Sequence, residues 1–427
     1  MTLRSPSLRN FKAPSLALVS LLLATACATA PTRPPVSIGS GQPRVDPVTG
    51  EVLTGPAPGV TEAETTGTFR SDGGLTPNFM AGLDVKRAAV LLPFSHPNAQ
   101  VRGEAESMLA GVELALFENG GTDFLIMPMD TAGRASTAEA RADEAIKEGA
   151  DIILGPLFGT SVDPVKEAAL RKSIPVVAFS NDRTVAGGGA YLASVMPEEE
   201  VVRIMGYAAS RGTRTFAFLG PDSAYGRQVE AAMRAEALKN GWAVIGAGFY
   251  DPGSSASSEV ARIAKLINAE SSQVGLLIPE RGTKLLSIAP LLVVNGVDPG
   301  RTRFLGTSLM DDSAIWREPA LAGALYATVD PEYLSSFKAT YDRIYGRKPT
   351  DLAAAAYDAT ALALTLAAEN NIKHGGVTDP DGFMGVNGLF RFRLDGTSER
   401  GLAVKEIRNS GAVVVEQGVT RFPPGGS

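Results

Sequence analysis

The chain has 427 residues, 44% of them apolar and 20% charged, with one Cys, two His, and Lys+Arg of 40 against Asp+Glu of 46. At about 100–200 residues per domain, that length predicts two or three domains, each large enough to bury a core. The formal charge of −6 argues against a nucleic-acid partner, which needs a clustered basic excess. A single cysteine forms no internal disulfide, and with only His96 and His374 no His/Cys zinc set can be assembled. No metal and no cofactor are expected, and His-based catalysis is disfavoured.

In chain order, Arg4, Arg9 and Lys12 precede the apolar run Leu16–Leu23, and no acid occurs before Asp46. This is a charged region followed by a hydrophobic one too short to span a membrane, as in a signal peptide over 1–26. The run ends in Leu23-Ala24-Thr25-Ala26-Cys27, which resembles a bacterial lipobox, so Cys27 is expected to be acylated. An ordinary secretory cut after Ala24-Thr25-Ala26 is the alternative. Two or three acyl chains would anchor the protein stably in a membrane, because each buried CH₂ adds about 0.8 kcal/mol. Ala28 after the cysteine, where sorting signals for the inner membrane place Asp, points to the outer membrane, facing the periplasm.

Residues 28–85 hold eight Pro, nine Gly and nine Thr, with no Lys. That composition predicts a structureless tether over 27–85. From Lys86 the pattern changes to short apolar runs alternating with amphipathic stretches, which predicts parallel sheets with crossover helices. Strands are expected at Ala88–Pro93, Phe124–Met127, Asp151–Leu154, Pro175–Phe179, Thr215–Leu219, Ala243–Phe249, Val274–Ile278 and Arg303–Leu305. Helices are expected at Glu104–Glu118, Thr137–Glu148, Asp163–Arg171, Glu198–Ser210, Arg227–Asn240, Ser258–Asn268 and Gly282–Val294. The rhythm runs once over 86–195 and again over 214–320, giving two similar α/β lobes. Two more helices, Glu332–Tyr345 and Leu352–Asn370, and three antiparallel runs, Leu389–Arg393, Ala403–Arg408 and Ala412–Glu416, complete the pattern. Residues 418–427 read as a disordered tail.

Val90–Ser95, Asp130-Thr131, Ile153–Ser161, Ile174–Asn181 and Phe218–Gly226 together resemble the type I periplasmic-binding fold of the leucine/isoleucine/valine-binding protein class. The resemblance covers residues 86–417. It implies two Rossmann-like lobes joined by three crossings, near Ser194–Pro197, Val329–Pro331 and Thr378–Gly382. Lobe 1 would then be 86–195 with 330–380, and lobe 2 would be 196–329 with 381–417. Within that class, Gly155–Gly159 and Phe179–Arg183 on a lipoprotein resemble the penicillin-binding-protein activators, whose partner is a peptidoglycan synthase.

Gly155–Ser161 follows a strand and precedes a helix. Thr160 or Ser161 could therefore cap that helix while its first N–H groups face the cleft and take an anion. A capped helix with nothing bound is the bland alternative. Ser180-Asn181-Asp182 leaves the next strand at the same mouth, where Asp182 and Arg183 bring charges that the amino-acid receptors lack. In the second lobe Asp222 or Ser223 is placed to cap a helix, and Tyr225 reads as hinge packing or a ligand contact. Glu280 offers an acid for an ammonium, although Arg281 could neutralise it. Ser308 stands where the amino-acid receptors present a carboxylate; the nearest acids are Asp311 and Asp312. Because a buried unpaired charge costs several kcal/mol, a zwitterion site needs both donors and a fixed acid, and the donors are the clearer half.

No G-x-S-x-G elbow, P-loop or H-E-x-x-H occurs, and Ser335–Lys338 matches S-x-x-K by chance. The expectation is a non-catalytic outer-membrane lipoprotein that binds and activates a penicillin-binding protein, with a possible small ligand in the interlobe cleft. The alternative is a periplasmic substrate-binding receptor of an ABC transporter for branched-chain amino acids.

Overall fold

The computed structural model describes residues 68–71, 74–77, 80, 82–409 and 411–422. The signal segment, Cys27 and most of the expected tether lie outside the described residues. The chain divides after Gly82 into two units. In the first, β1 (Thr68–Ser71) and β2 (Gly74–Pro77) pair antiparallel, Ser71 opposite Gly74. Within the expected tether over 27–85, Thr68–Ser71 and Gly74–Pro77 are thus paired strands, while most of the rest lies outside the described residues.

In the second unit, β3 (Lys86–Leu92), α1 (Ala99–Asn119), β4 (Phe124–Asp130), α2 (Ala135–Lys147), β5 (Ile152–Leu154), α3 (Val162–Leu170), β6 (Val176–Ala178) and β7 (Ala190–Leu192) build lobe 1. Its five strands are all parallel, in the order β4-β3-β5-β6-β7. Successive side chains of a strand point to opposite faces. On β3, Ala88, Val90 and Leu92 therefore pack with Met108 and Val112 of α1, while Ala89 and Leu91 pack with Ala138, Ala142 and Ala145 of α2. Helix α1 begins five residues before its expected start because the Asn98 side chain accepts from Gln100 N at 2.8 Å, a cap that satisfies one of the free N–H groups.

Lobe 2 follows as α4 (Pro197–Ser210), β8 (Thr215–Pro221), α5 (Ala224–Asn240), β9 (Ala243–Tyr250), α6 (Ser257–Ala269), β10 (Val274–Leu277), α7 (Gly282–Val294), β11 (Thr302–Gly306) and β12 (Leu325–Thr328). The chain then returns to lobe 1 with α8 (Pro331–Tyr345), α9 (Asp351–Ala368) and the short α10 (His374–Val377). Helix α9 is long and apolar enough to cross a bilayer, but its residues are buried nearly all round, between α1 and the lobe 1 sheet. A helix apolar on all sides is what a core position demands.

A three-stranded antiparallel sheet comes next: β13 (Phe383–Gly385), β14 (Gly388–Phe392) and β15 (Ser398–Arg400). Phe383, Phe390 and Phe392 sit in the lobe 1 core beside Leu362 and Val177. The third crossing is therefore not at Thr378–Gly382 but at Gly401-Leu402, and 381–400 moves from lobe 2 to lobe 1. Antiparallel β16 (Ala403–Arg408) and β17 (Gly411–Glu416) complete the seven-stranded lobe 2 sheet, ordered β17-β16-β12-β11-β10-β8-β9. The expected tail from 418 also needs correction as far as 422. Gly418 N donates to Asp330 Oδ2 at 3.1 Å, and Phe422 is buried beneath the Arg391 guanidinium.

Candidate functional site

Parallel strands leave their connecting loops at the carboxyl ends, and ligands of open α/β sheets bind in the crevice outside those ends. Both lobes turn these ends toward one cleft of about 1110 Å³. From lobe 1 come His96 after β3, Gly133 after β4, Phe158–Thr160 after β5 and Phe179–Asp182 after β6; lobe 2 supplies Arg281 after β10 and Ser308 and Asp311 after β11. Residues at all three crossings line it too: Ser194 and Val195, Thr328 and Val329, and Arg400.

The lobe 1 wall depends on two glycines. Gly155, at φ +115°, has no room for a side chain, since a Cβ there would fall 2.4 Å from the Leu91 carbonyl oxygen. A Cβ on Gly159 would meet Ser180 Oγ at 3.1 Å and Asp182 Cβ at 3.3 Å, so these two loops close on each other because Gly159 lacks one. Thr160 is exposed at the mouth. Ser161 is buried, is absent from the cleft lining and makes no capping bond. The expected cap is therefore corrected: a 3₁₀ turn over Gly159–Ser161 precedes α3 and supplies its bond through the backbone, Ser161 N to Phe158 O at 2.9 Å.

Ser180, buried and lining the cleft, accepts from Asp182 N at 3.0 Å. Asp182 in turn accepts from Thr184 N at 3.0 Å and from its hydroxyl at 2.7 Å, ordering the turn Arg183–Val185. Asn181 offers its carbonyl to Gln228 Nε2 of α5 at 3.4 Å, a link between the lobes.

The lobe 2 carboxylates are engaged within their own lobe. Glu280 accepts from Tyr250 Oη at 2.6 Å and from the Arg281 backbone N–H at 3.2 Å, is absent from the cleft lining, and forms no ion pair with the Arg281 guanidinium. The Arg281 side chain is exposed and has no ion-pair partner among the described residues. Asp311 does line the cleft, but accepts from Lys405 Nζ at 2.6 Å and Tyr326 Oη at 2.9 Å. Ser308 lines the cleft while its N–H donates to Glu200 Oε1 at 2.8 Å. Burial pushes the Glu200 carboxyl up to about 7, against the lowering pull of the Ser308 hydrogen bonds. Ser223, and not Asp222, caps α5 by accepting from Gly226 N at 3.1 Å. Tyr225 stays inside lobe 2, with its hydroxyl 2.9 Å from Thr307 Oγ1.

Thr160, Ser180, Asn181, Asp182 and Ser308 thus come together around one cleft, whereas Ser161, Tyr225 and Glu280 do not line it. His96, singled out in the sequence only for the zinc argument, and Lys338, the end of the chance S-x-x-K match, line it as well, as do Asn387 and Arg400, which belong to no motif. For Arg400 no local signal existed, since its place depends on where the chain makes its third crossing. Among the described residues no group of His, Cys, Asp and Glu could hold a metal.

Residues 87–385 match the periplasmic binding protein family. No protein among those of curated function matches the sequence. Solved structures share the fold. A protein from Rhodospirillum rubrum assigned to branched-chain amino acid ABC transport is 18% identical, with a TM-score of 0.68 over 78% of this chain and 100% of its own. An ABC transporter substrate-binding protein from Desulfitobacterium hafniense in complex with Leu is 18% identical, with a TM-score of 0.55 over 77% of this chain and 99% of its own. A solute-binding protein from Rhodopseudomonas palustris BisB5 in complex with 3,4-dihydroxybenzoic acid is 14% identical, with a TM-score of 0.55 over 81% of this chain and 100% of its own. With two α/β lobes, a cleft at the carboxyl ends of both parallel sheets and a family match that spans lobe 1, lobe 2 and the start of the third sheet, the chain belongs to the periplasmic binding protein family.

Proposed function

We propose that this chain is a non-catalytic solute-binding protein of the cell envelope that closes its two lobes on a small ligand, in the manner of ABC-transporter receptors. The observation that carries this reading is the cleft itself. It is large enough for a metabolite-sized molecule, walled on one side by hydroxyl-bearing loops at Thr160 and Ser180 and on the other by Ser308 and Arg281. The ligands named for two of the solved relatives, leucine and 3,4-dihydroxybenzoic acid, share a carboxylate, and only the first carries an ammonium. The test is to denature and refold the purified protein to strip its ligand, identify the released small molecules by mass spectrometry, and titrate them back by calorimetry with scattering to follow closure. Recovery of one molecule that binds and compacts the protein supports the reading; a protein that carries none, binds none and never changes shape sinks it.

A second reading has one observation in its favour: both acids placed to take an amino acid's ammonium, Glu280 and Asp311, are already engaged by Tyr250 and Lys405. On that reading the protein, acylated at Cys27 and held at the outer membrane, contacts a peptidoglycan synthase and raises its activity. A coupling of about 1–3 kcal/mol would suffice. Capture of a penicillin-binding protein from detergent-solubilised envelopes, and its activation in a purified assay, would favour it. Release of the Cys27→Ser protein into the soluble fraction tests the anchor alone.

A further inference from the structure

Arg400 is the last residue of β15, immediately before the third crossing, and it lines the cleft while only 8% exposed. A guanidinium has five N–H donors and stays charged at any physiological pH. Burying one is costly unless acceptors surround it. Here the acceptors are incomplete. Nη2 donates to the Ala193 carbonyl of the first crossing, but Nε and Nη1 are buried without a hydrogen-bond partner. The Phe390 ring lies 5.3 Å from Cζ and supports the charge through its face, which satisfies none of the in-plane N–H groups.

Two buried carboxylates, Glu199 and Asp358, feel the Arg400 charge, yet neither forms an ion pair with it. Both Asp358 oxygens are taken by Val386 N, Asn387 N and Asn387 Nδ2, at 2.7–3.1 Å. Glu199 accepts from Met196 N through one oxygen, and its other oxygen is buried without a partner. Elsewhere in the cleft the balance is the same. Asp311 is neutralised by Lys405 and Asp182 accepts from Thr184 through Oδ1, while the Arg281 side chain lines the cleft without an ion-pair partner among the described residues. Of the three lining acids only Asp351 has no bonded partner among the described residues; it is exposed in the first turn of α9, where the positive end of the helix favours a carboxylate. Both lining arginines keep N–H groups that no acceptor among those residues takes.

We propose that the ligand is an organic anion without an ammonium group, and that its carboxylate is taken by Arg400 at the floor of the cleft, where the three crossings meet. This inference rests on the solute-binding reading and names the chemical class of its ligand. Arginine suits the task because its planar N–H groups pair with a carboxylate in fixed geometry. The position matters as well. A ligand held by a residue of the third crossing that is itself bonded to the first crossing would tie its own binding to the setting of the hinge.

The test is calorimetry and thermal shift on the full-length protein with benzoate, 3,4-dihydroxybenzoate and succinate as anionic probes, leucine as a zwitterion and glucose as a neutral solute. The wild type is compared with Arg400→Gln, Arg400→Lys and the control Arg281→Gln. The expected result is that at least one anion binds, that leucine and glucose do not, and that Arg400→Gln weakens the anion at least tenfold, as loss of a charge-assisted hydrogen bond should. Arg400→Lys, which keeps the charge and guards against a Gln variant that does not fold, should weaken it less than Gln. Three outcomes overturn the inference: an anion that binds both Arg400 variants as tightly as the wild type, tight binding of leucine or glucose undisturbed by Arg400→Gln, or a larger loss in the Arg281 variant than in either Arg400 variant. In all three the solute-binding reading stands. Binding of none of the five probes, in a protein that also releases no small molecule on unfolding, overturns that reading and this inference together.

Discussion

The two walls of the cleft are built alike and equipped differently. Each is a set of loops at the carboxyl ends of a parallel sheet. On the lobe 1 wall, Ser180 Oγ accepts from Asp182 N but keeps its own proton to donate, and Thr160 is exposed at the mouth. On the lobe 2 side, Glu200, Glu280 and Asp311 are each held by partners from lobe 2 itself: Ser308 N, Tyr250 Oη, and Lys405 with Tyr326. The lesson is that residue type does not make a site. What counts is the hydrogen-bonding and charge capacity left over once the fold has satisfied itself, and in lobe 2 little acidic capacity remains.

The comparison supposes that the third sheet belongs to lobe 1, and the largest effect tests that. Phe390 is 1% exposed in the lobe 1 core. Phe390→Ala should cost about 3–5 kcal/mol, through lost transfer energy and the cavity left behind, read from urea titration. Hydrogen exchange should show protection falling in β3 and α9 while β8 and β10 keep theirs. Equal loss in both lobes would mean that they unfold as one unit and cannot be contrasted in this way.

Glu200 gives the next effect, through pH. It is 4% exposed, and burial raises its carboxyl to about 7 from an ordinary value of 4.5. The folded protein therefore holds this proton more tightly than the unfolded chain does. As pH rises from about 4.5 to 7 the unfolded state ionises first, so stability falls across that window and stays lower above it, by on the order of 3 kcal/mol. Glu200→Gln keeps an oxygen to accept from Ser308 N and removes the ionisation. The variant should match the wild type near pH 4.5 and be the more stable protein at pH 8, by denaturant titration at both. A difference that does not change with pH would show that Glu200 is not a buried acid of lobe 2.

Much of this architecture was legible because a parallel α/β fold writes itself locally. The strand runs at Ala88–Pro93 and Val274–Ile278 are apolar since both faces are covered, and the loops after them carry the Gly, Ser and Thr that a cleft needs. The sequence could not reveal where long-range pairing overrides local pattern. Phe383, Phe390 and Phe392 look alike in either lobe, and only their packing against Leu362 and Val177 decides. The strands Ala190–Leu192 and Leu325–Thr328 hold no Val or Ile, unlike the comparably short Ile152–Leu154 and Val176–Ala178, and follow Gly-containing turns, so they do not stand out from their loops. For the site, the donors of lobe 1 could be read because they are contiguous in the chain. Lys405 comes to Asp311 from 94 residues away, and Arg400 comes to Ala193 from 207 away, so neither the neutralised acid nor the incompletely paired arginine had a local signature.

Asp311 offers a third, intermediate effect. Asp311→Asn leaves the Lys405 ammonium, 9% exposed at its side chain, without its carboxylate. A fully buried pair broken in this way costs several kcal/mol, but the Asp311 side chain is about one-third exposed, so about 1–3 kcal/mol is expected from urea titration once solvent screening is allowed for. The same pairing implies that wild-type protein binds leucine more weakly than micromolar. Calorimetry showing micromolar or tighter binding would prove that lobe 2 does have an acid to spare, and the contrast between the walls would fail.

The smallest effect separates two serines that look equivalent in the sequence. Ser180 and Ser161 both sit in loops after lobe 1 strands, both are buried, and both belong to hydroxyl-bearing turns. Ser180 lines the cleft and Ser161 does not. For whichever ligand the protein is found to bind, Ser180→Ala should weaken affinity by about 0.5–1.5 kcal/mol, the net value of one hydrogen bond. It should also loosen the Arg183–Val185 turn, because Asp182 N loses its acceptor. Ser161→Ala should leave affinity unchanged, since its place at the start of α3 is held by backbone bonding through Phe158 O. Titration of both variants with the same ligand decides it. If Ser161→Ala weakens binding as much as Ser180→Ala, the α3 start takes part in the site after all, and the ligand lies deeper in lobe 1 than the present cleft lining places it.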